Sequence, residues 1–236
     1  VNENEVTVVS VFVNPTQFND KNDLVKYPRT LDADCKLLEA CGATYAFAPS
    51  VEEMYPEPDT HQFSYAPLDT VMEGAFRPGH FNGVCQIVSK LFEAVKPHRA
   101  YFGEKDFQQL QIVKKLVSKH NIPVEVIGCP IHREANGLAM SSRNERLSES
   151  AREKAAVIYQ ILNTAKDFFQ THSAEETTTF VENEFEKHPE FQLEYFEIAD
   201  EATLLPVSEK ESNKKYRGFI AIFIENIRLI DNISLN

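Results

Sequence analysis

Arg99-Ala-Tyr-Phe-Gly-Glu-Lys-Asp-Phe-Gln-Gln-Leu-Gln-Ile-Val113 runs on through Lys114-Lys-Leu-Val-Ser-Lys-His120 to Val124-Glu-Val-Ile-Gly128, and its pattern changes twice. Arg99 to Phe102 reads as a short strand. From about Asp106 to His120 the apolar residues Leu110, Val113, Leu116 and Val117 return at helical spacing, and Val124 to Gly128 is again a strand. A strand, a helix and a second strand in so short a stretch form a crossover unit, which belongs to a parallel sheet of the doubly wound α/β class. Ligands of that class bind beyond the C-terminal ends of the strands.

The same alternation continues towards the N-terminus. Phe81, Val84, Val88, Leu91, Phe92 and Val95 mark a helix that stops at Pro97. Tyr45 to Ala48 reads as a strand, followed by the capping box Ser50-Val-Glu-Glu53 and one turn of helix up to Tyr55-Pro56. Thr30 stands where it would cap a helix that carries Leu31, Cys35, Leu38, Leu37 and Cys41 inward and closes at Gly42. Val6 to Val13 is apolar and β-branched, as a central strand covered on both faces should be. Such a strand is expected inside a fold rather than at its start, so Val1 to Glu5 reads as a cut connection.

Towards the C-terminus the character changes near Ile131. A long helix is expected after Ser148 and a second one behind the capping box Ser173-Ala-Glu-Glu176. Strands follow near Leu193–Ile198, Gly218–Phe223 and Ile227–Ile233, with the polar run Ser208–Lys215 as a hairpin loop. Helices followed by consecutive strands make a small α+β domain. Two domains are therefore expected, 1–131 and 132–236.

With 42% hydrophobic and 25% charged residues the chain has a globular composition. Its net charge of −12 argues against nucleic acid or an anionic membrane as the main partner, since phosphates need a basic face. The four cysteines show no metal-binding spacing and are too sparse for a disulfide scaffold, so reduced thiols and no structural metal are expected. Without a signal peptide or a long apolar span, a cytoplasmic protein is expected.

Four polar clusters sit where this fold places ligands. Asn14-Pro15-Thr16-Gln17-Phe18 follows the first strand, and its two carboxamides suit a small hydroxy acid; an ordinary Asn-Pro turn is the alternative. Gly103-Glu-Lys105-Asp106-Phe-Gln-Gln109 joins a strand end to a helix start. There the backbone, the helix N-terminus and Lys105 favour an anion, while Asp106 either caps the helix or meets a ribose. Ala139-Met-Ser141-Ser142-Arg143-Asn144 offers two hydroxyls and a guanidinium to a polyphosphate, or is simply a polar surface loop. Gly74-Ala-Phe-Arg77-Pro-Gly-His80-Phe81 carries a histidine into a helix as a ligand contact, a general base or a helix-start residue held by the backbone. These clusters neutralise charge and call for no metal cluster, nucleophilic Ser or Cys, or paired carboxylates, which suits phosphoryl or nucleotidyl transfer.

The blocks VVSVFVNPTQF, YPRTLDADCKLLEACGA, FAPSVEEMYP, GAFRPGHFNGV, RAYFGEKDFQQLQIV, REANGLAMSSRN and the terminal RLIDNI strongly resemble the pantoate–β-alanine ligase family, in order, from Val6 to Ile233. The resemblance implies a Rossmann-like nucleotidyltransferase domain that binds ATP and pantoate, with a small C-terminal lid domain. It implies a two-step reaction with ATP as substrate and magnesium alongside it, through a pantoyl adenylate, in a homodimer. Matched by motif, Gln17 and Gln109 resemble the pantoate-binding carboxamides, and Asn14, His80 and Tyr27 resemble further pantoate or β-alanine contacts. Lys105, Arg143, Ser141 and Ser142 resemble the catalytic phosphate-binding set, Gly103 and Asp106 the ribose contacts, and Asp34 an acidic residue near magnesium. Asn14, Gln17, Lys105, Gln109 and Arg143 are expected to converge on one cleft between the two domains.

The family opens with a strand and a PTMGxLHxGH-type loop. No such segment precedes Val1 here, and none of the seven histidines forms an HxGH pattern, so the first ATP-binding motif is expected to be missing. Two alternatives follow: a binding-only fragment, and a related nucleotidyltransferase for another small acid.

Overall fold

A computed structural model of the chain describes residues 1–18, 24–25 and 27–236. The chain divides into two compact units. One comprises 1–65, 73–100 and 112–126, and the other 66–72, 101–111 and 127–236.

The elements of the first unit open with β1 (Val8–Ser10), α1 (Leu31–Ala40), β2 (Tyr45–Phe47) and α2 (Val51–Met54). Short α3 (Glu73–Phe76) and the long α4 (His80–Val95) follow. β1 and β2 run parallel, with Val8 beside Tyr45. The α2 capping box is complete, with the Glu53 amide donating to Ser50 Oγ and the Ser50 amide donating to the Glu53 carboxylate. Core side chains here include Phe81, Val84, Val88 and Phe92 of α4.

Two expectations for this unit need correction. The first strand is not covered on both faces: among the described residues β1 pairs with β2 alone, Val8 and Val9 are half-buried, and Val6 is exposed. Thr30 does not cap α1 through its side chain; its hydroxyl donates to the Asp34 carboxylate, one turn into the helix, where the negative charge attracts it. α1 also buries none of its residues fully, and Leu31 and Leu37 lie exposed.

The decisive stretch folds as its pattern dictates. β3 (Arg99–Gly103) leads through a 3-10 turn at Glu104–Asp106 into α5 (Phe107–His120), and β4 (Glu125–Cys129) pairs with β3. Leu110, Val113 and Leu116 are all but fully buried as their spacing implies, whereas Val117 is only half-buried and Ile112 packs inward beside them.

The second unit adds α6 (Glu149–Lys154), α7 (Ala156–Phe169), α8 (Ala174–Glu186), β5 (Phe191–Asp200), β6 (Tyr216–Ile224) and β7 (Ile227–Ser234). The helix expected to run on from Ser148 is broken at Ala155, where a tight i to i+3 bond from the Ile158 amide interrupts the regular ladder. β5, β6 and β7 form an antiparallel sheet in sequence order, and the loop containing Ser208–Lys215 connects β5 to β6. One face of that sheet carries Phe196, Ile198, Ile220, Ile222 and Leu229 into a core shared with α7 and α8. The chain is thus an α/β protein with parallel pairing near its start and a helix-backed antiparallel sheet at its end.

Candidate active site

In the first unit the Asn14–Gln17 motif is a 3-10 turn. Pro15 presets its first φ, and the Gln17 amide reaches Asn14 O at 3.3 Å. Asn14 is buried and its carboxamide is fully engaged. Nδ2 donates to Gly83 O at 3.1 Å and to Thr16 Oγ1 at 3.0 Å, while Oδ1 accepts from the Tyr55 hydroxyl at 2.8 Å. Burial pushes the Tyr55 phenol above its ordinary pKa, so it stays protonated and able to donate. A Cβ on Gly83 would stand 2.4 Å from Thr16 O, so glycine is what lets α4 approach the turn this closely.

The Gln17 carbonyl is the hub of a second cluster. His80 Nδ1 lies 3.0 Å from it, and Arg77 Nη2 donates to it at 3.4 Å. His80 Nε2 faces Arg77 Nη1 at 3.3 Å. Since a guanidinium only donates, Nε2 accepts and Nδ1 carries the proton towards the carbonyl, which makes His80 a neutral imidazole held by the backbone of the motif. Glu73 pairs with Arg77 at 3.4 Å. Tyr27 sets its ring edge-on to Phe18, with centroids 5.5 Å apart. The Gln17 carboxamide is half-buried and has no protein partner among the described residues.

In the second unit Gly103, Lys105, Asp106 and Gln109 sit on the turn that opens α5. Nothing lies within 4 Å of where a Gly103 Cβ would be, so the backbone there is approachable. Asp106 is exposed and does not cap the helix. The side chains of Lys105, Asp106 and Gln109 make no hydrogen bond or ion pair among the described residues.

The segment before Ser141 is a hairpin. The Glu134 amide donates to Leu138 O and the Met140 amide to His132 O, around a turn at Asn136-Gly137. Gly137 has φ +95°, and a Cβ there would sit 2.7 Å from the Tyr159 ring. Ser141 caps the following 3-10 turn, its Oγ accepting from the Arg143 amide, so Ser142 and Arg143 open that turn. Buried Asn144 donates to Glu134 at 2.8 Å and to Ala139 O at 3.1 Å, tying the turn back to the hairpin. The hydrogen bond from Arg152 is the main reason the Glu134 carboxyl is held below the usual range, with the one from Asn144 adding to it.

β7 supports both segments. Arg133 grips the Asp231 carboxylate with two donors, at 2.6 and 3.0 Å, and its guanidinium lies 3.7 Å from the Tyr159 ring centroid. Asn232 Nδ2 donates to Glu104 O and to Lys105 O, each at 2.9 Å. None of Asp231, Asn232, Arg217, Arg133 or Tyr55 was singled out by sequence reasoning. The signal available for two of them is the acid-amide pair Asp231-Asn232 inside an apolar strand, because buried polar groups must find partners.

Asp34 shares its carboxylate with the Thr30 hydroxyl. Among the described residues no group of three or more His, Cys, Asp or Glu side chains is arranged to hold a metal ion. A cleft of about 750 Å³ lies within the first unit, lined by Asp59, Phe63, Lys90, His98 and His120 among others, and none of the motif residues lines it.

Comparison with known proteins supplies the family. The model described as pantoate-beta-alanine ligase matches residues 1–234. A pantothenate synthetase of Bacteroides fragilis is 70% identical over 233 residues, covering 99% of this chain and 83% of that protein. One of Bacteroides thetaiotaomicron is 65% identical with the same coverage. Among solved structures, pantothenate synthetase from Thermus thermophilus superposes with a TM-score of 0.92 at 44% identity, over 99% of this chain and 85% of that one. A pantoate-beta-alanine ligase from Francisella tularensis, complexed with beta-gamma ATP and beta-alanine, gives 0.78 at 34% identity, over 99% and 81%.

Proposed function

This chain belongs to the pantoate–β-alanine ligase family, and on that premise we propose that it joins pantoate to β-alanine with ATP through a pantoyl adenylate, releasing pyrophosphate and then AMP. The supporting observation is that Gln17, Lys105 and Gln109, each half-buried, keep their side chains free of protein partners among the described residues. Half-buried polar groups that the fold leaves unpaired are groups kept for a ligand.

Gln17 and Gln109 are assigned to pantoate, where neutral amides grip hydroxyl and carboxylate oxygens without adding charge. Lys105 and Arg143, with Ser141 and Ser142, are assigned to the ATP phosphates, and Gly103 and Asp106 to the ribose. In the first step a pantoate carboxylate oxygen attacks the α-phosphorus and pyrophosphate leaves. An anion approaching an anion needs cationic donors fixed in advance, and Lys105 at the mouth of α5 adds its charge to the helix N-terminus. In the second step the β-alanine amine attacks the acyl carbon and AMP leaves.

His80, oriented by Gln17 O, and Tyr27 are assigned as further substrate contacts. Asn14 shapes the turn that presents Gln17, because its own amide is occupied. Magnesium is assigned to the ATP phosphates, as part of the substrate, with Asp34 assigned to it as an acidic residue; such ions keep most of their shell from water and phosphate. A homodimer acting in the cytoplasm completes the proposal, and sedimentation velocity checks the assembly.

The test is pyrophosphate release from ATP with a panel of small acids, with and without β-alanine. The expected result is pantoate-dependent release and pantothenate formation only when β-alanine is present. Equal release with an unrelated hydroxy acid would replace this reading by that of another nucleotidyltransferase.

A further inference from the structure

The geometry points to Asn232 as the residue that positions Lys105, an inference that rests on the reading of Lys105 as a donor to the reacting phosphate. Asn232 lies 127 residues from Lys105 in sequence and is 1% exposed. Its two Nδ2 hydrogens are spent on two successive carbonyls of the turn, Glu104 O and Lys105 O.

The neighbouring strand residues show why this contact is well determined. Asp231 pairs across the sheet with Ile220 and Asn232 with Phe219. Successive residues of a strand face opposite ways, so Asp231 joins the helix-backed face and Asn232 the other one. On that second face Phe219 meets Phe107, the first residue of α5, with ring centroids 6.0 Å apart. Asp231, fixed by Arg133, therefore anchors the strand from one side while Asn232 reaches the turn from the other.

The direction of the Asn232 amide is also fixed. Oδ1 accepts from Arg217 Nη1 at 2.6 Å, and a guanidinium has no acceptor, so a flipped amide would set donor against donor. Arg217 is itself pinned by Glu201 at 2.8 Å and by the Phe107 ring, 4.0 Å from its guanidinium carbon. Holding two consecutive carbonyls fixes the rotation of the peptide planes on both sides of the Lys105 Cα. That sets the direction in which a long, flexible side chain leaves the backbone. Asn232 thus acts on the ammonium through the backbone and is a positioning residue.

Asn232→Asp tests this at nearly constant volume, because the carboxylate keeps an acceptor for Arg217 and loses both donors to the turn. The expected result is a fall in pantoate-dependent turnover of roughly tenfold to a hundredfold, the scale of a reacting group misplaced by about an ångström. The Michaelis constant for pantoate should stay near its wild-type value. Lys105→Ala and the double variant are measured beside it. If Asn232 acts through Lys105, the double variant is no slower than Lys105→Ala alone, whereas a purely structural role makes the two losses multiply and overturns the inference. Wild-type turnover in Asn232→Asp beside a slow Lys105→Ala overturns it too, and leaves the reading of Lys105 intact. Near-normal turnover in Lys105→Ala overturns that reading and this inference together. Should Asn232→Asp fold poorly, Asn232→Ser retains one donor and is expected to show intermediate turnover; wild-type turnover there counts against the proposal.

Discussion

Lys105 and Gln17 both keep side chains free of partners among the described residues, yet the chemistry assigned to them predicts different kinetics. Negative charge on the phosphoryl oxygens shifts as the carboxylate adds, so an ammonium aimed there interacts more strongly in the transition state than before it. Lys105→Ala should therefore cost about 3 kcal/mol in the adenylation barrier, on the order of a hundredfold or more in turnover. Gln17→Ala removes a neutral hydrogen bond present before and during reaction, so the Michaelis constant for pantoate should rise more than turnover falls. Steady-state kinetics with direct pantoate titration separates the two, and near-normal turnover in Lys105→Ala would end its assignment. Asn14 shows the limit of reading single residues. Its position beside Gln17 gives two amides with the same composition, and only the Gly83 carbonyl and the Tyr55 hydroxyl distinguish the buried one from the available one.

At the scale of elements, the contact between α4 and the Asn14–Gln17 turn depends on a missing side chain. Gly83→Ala puts a methyl 2.4 Å from a backbone carbonyl that cannot swing aside, so the turn or the helix must move. The expected outcome is a lower melting temperature together with weaker pantoate binding, read by thermal unfolding and titration. A variant that loses stability and binds pantoate normally would show that Gln17 is not held by this contact. At the other end of the chain, Ser173 and Glu176 satisfy each other's backbone amides at the start of α8. That box was legible from four letters, because its hydrogen bonds are local.

Two carboxylates, Glu134 and Glu197, act on the response of the whole molecule to pH in opposite directions. Glu134 is held below the ordinary range, first by the hydrogen bond from Arg152. Its contribution is present above the unfolded carboxylate pKa of about 4.3 and is lost as pH falls through the lower folded value. Glu197 is pushed up by burial, so its ionised form opposes folding once pH rises above the unfolded value. Denaturant midpoints between about pH 3 and pH 7 should show the advantage of wild type over Glu134→Gln shrinking on acidification. Glu197→Gln should gain stability near neutrality and gain nothing at low pH. A Glu134→Gln deficit that is the same at both ends of the range would rule out the Arg152 pair as its cause.

The sequence by itself determined the order of helices and strands, the α/β class and the family blocks, because periodicity, caps and turn residues act over a few neighbours. Even there, burial had to be corrected. The apolar run Val6–Val13 became a three-residue strand with one partner among the described residues, since cover depends on what pairs with it and not on its own letters. Only the tertiary structure decided which polar groups are spent and which are free. Asp231 finds Arg133 at a distance of 98 residues in sequence, and Asn232 finds the carbonyl of Lys105 at 127. A hydrogen bond between residues so far apart leaves no periodic trace in the chain. Its geometry exists only after β7 has alternated one of the two side chains to each face of the sheet.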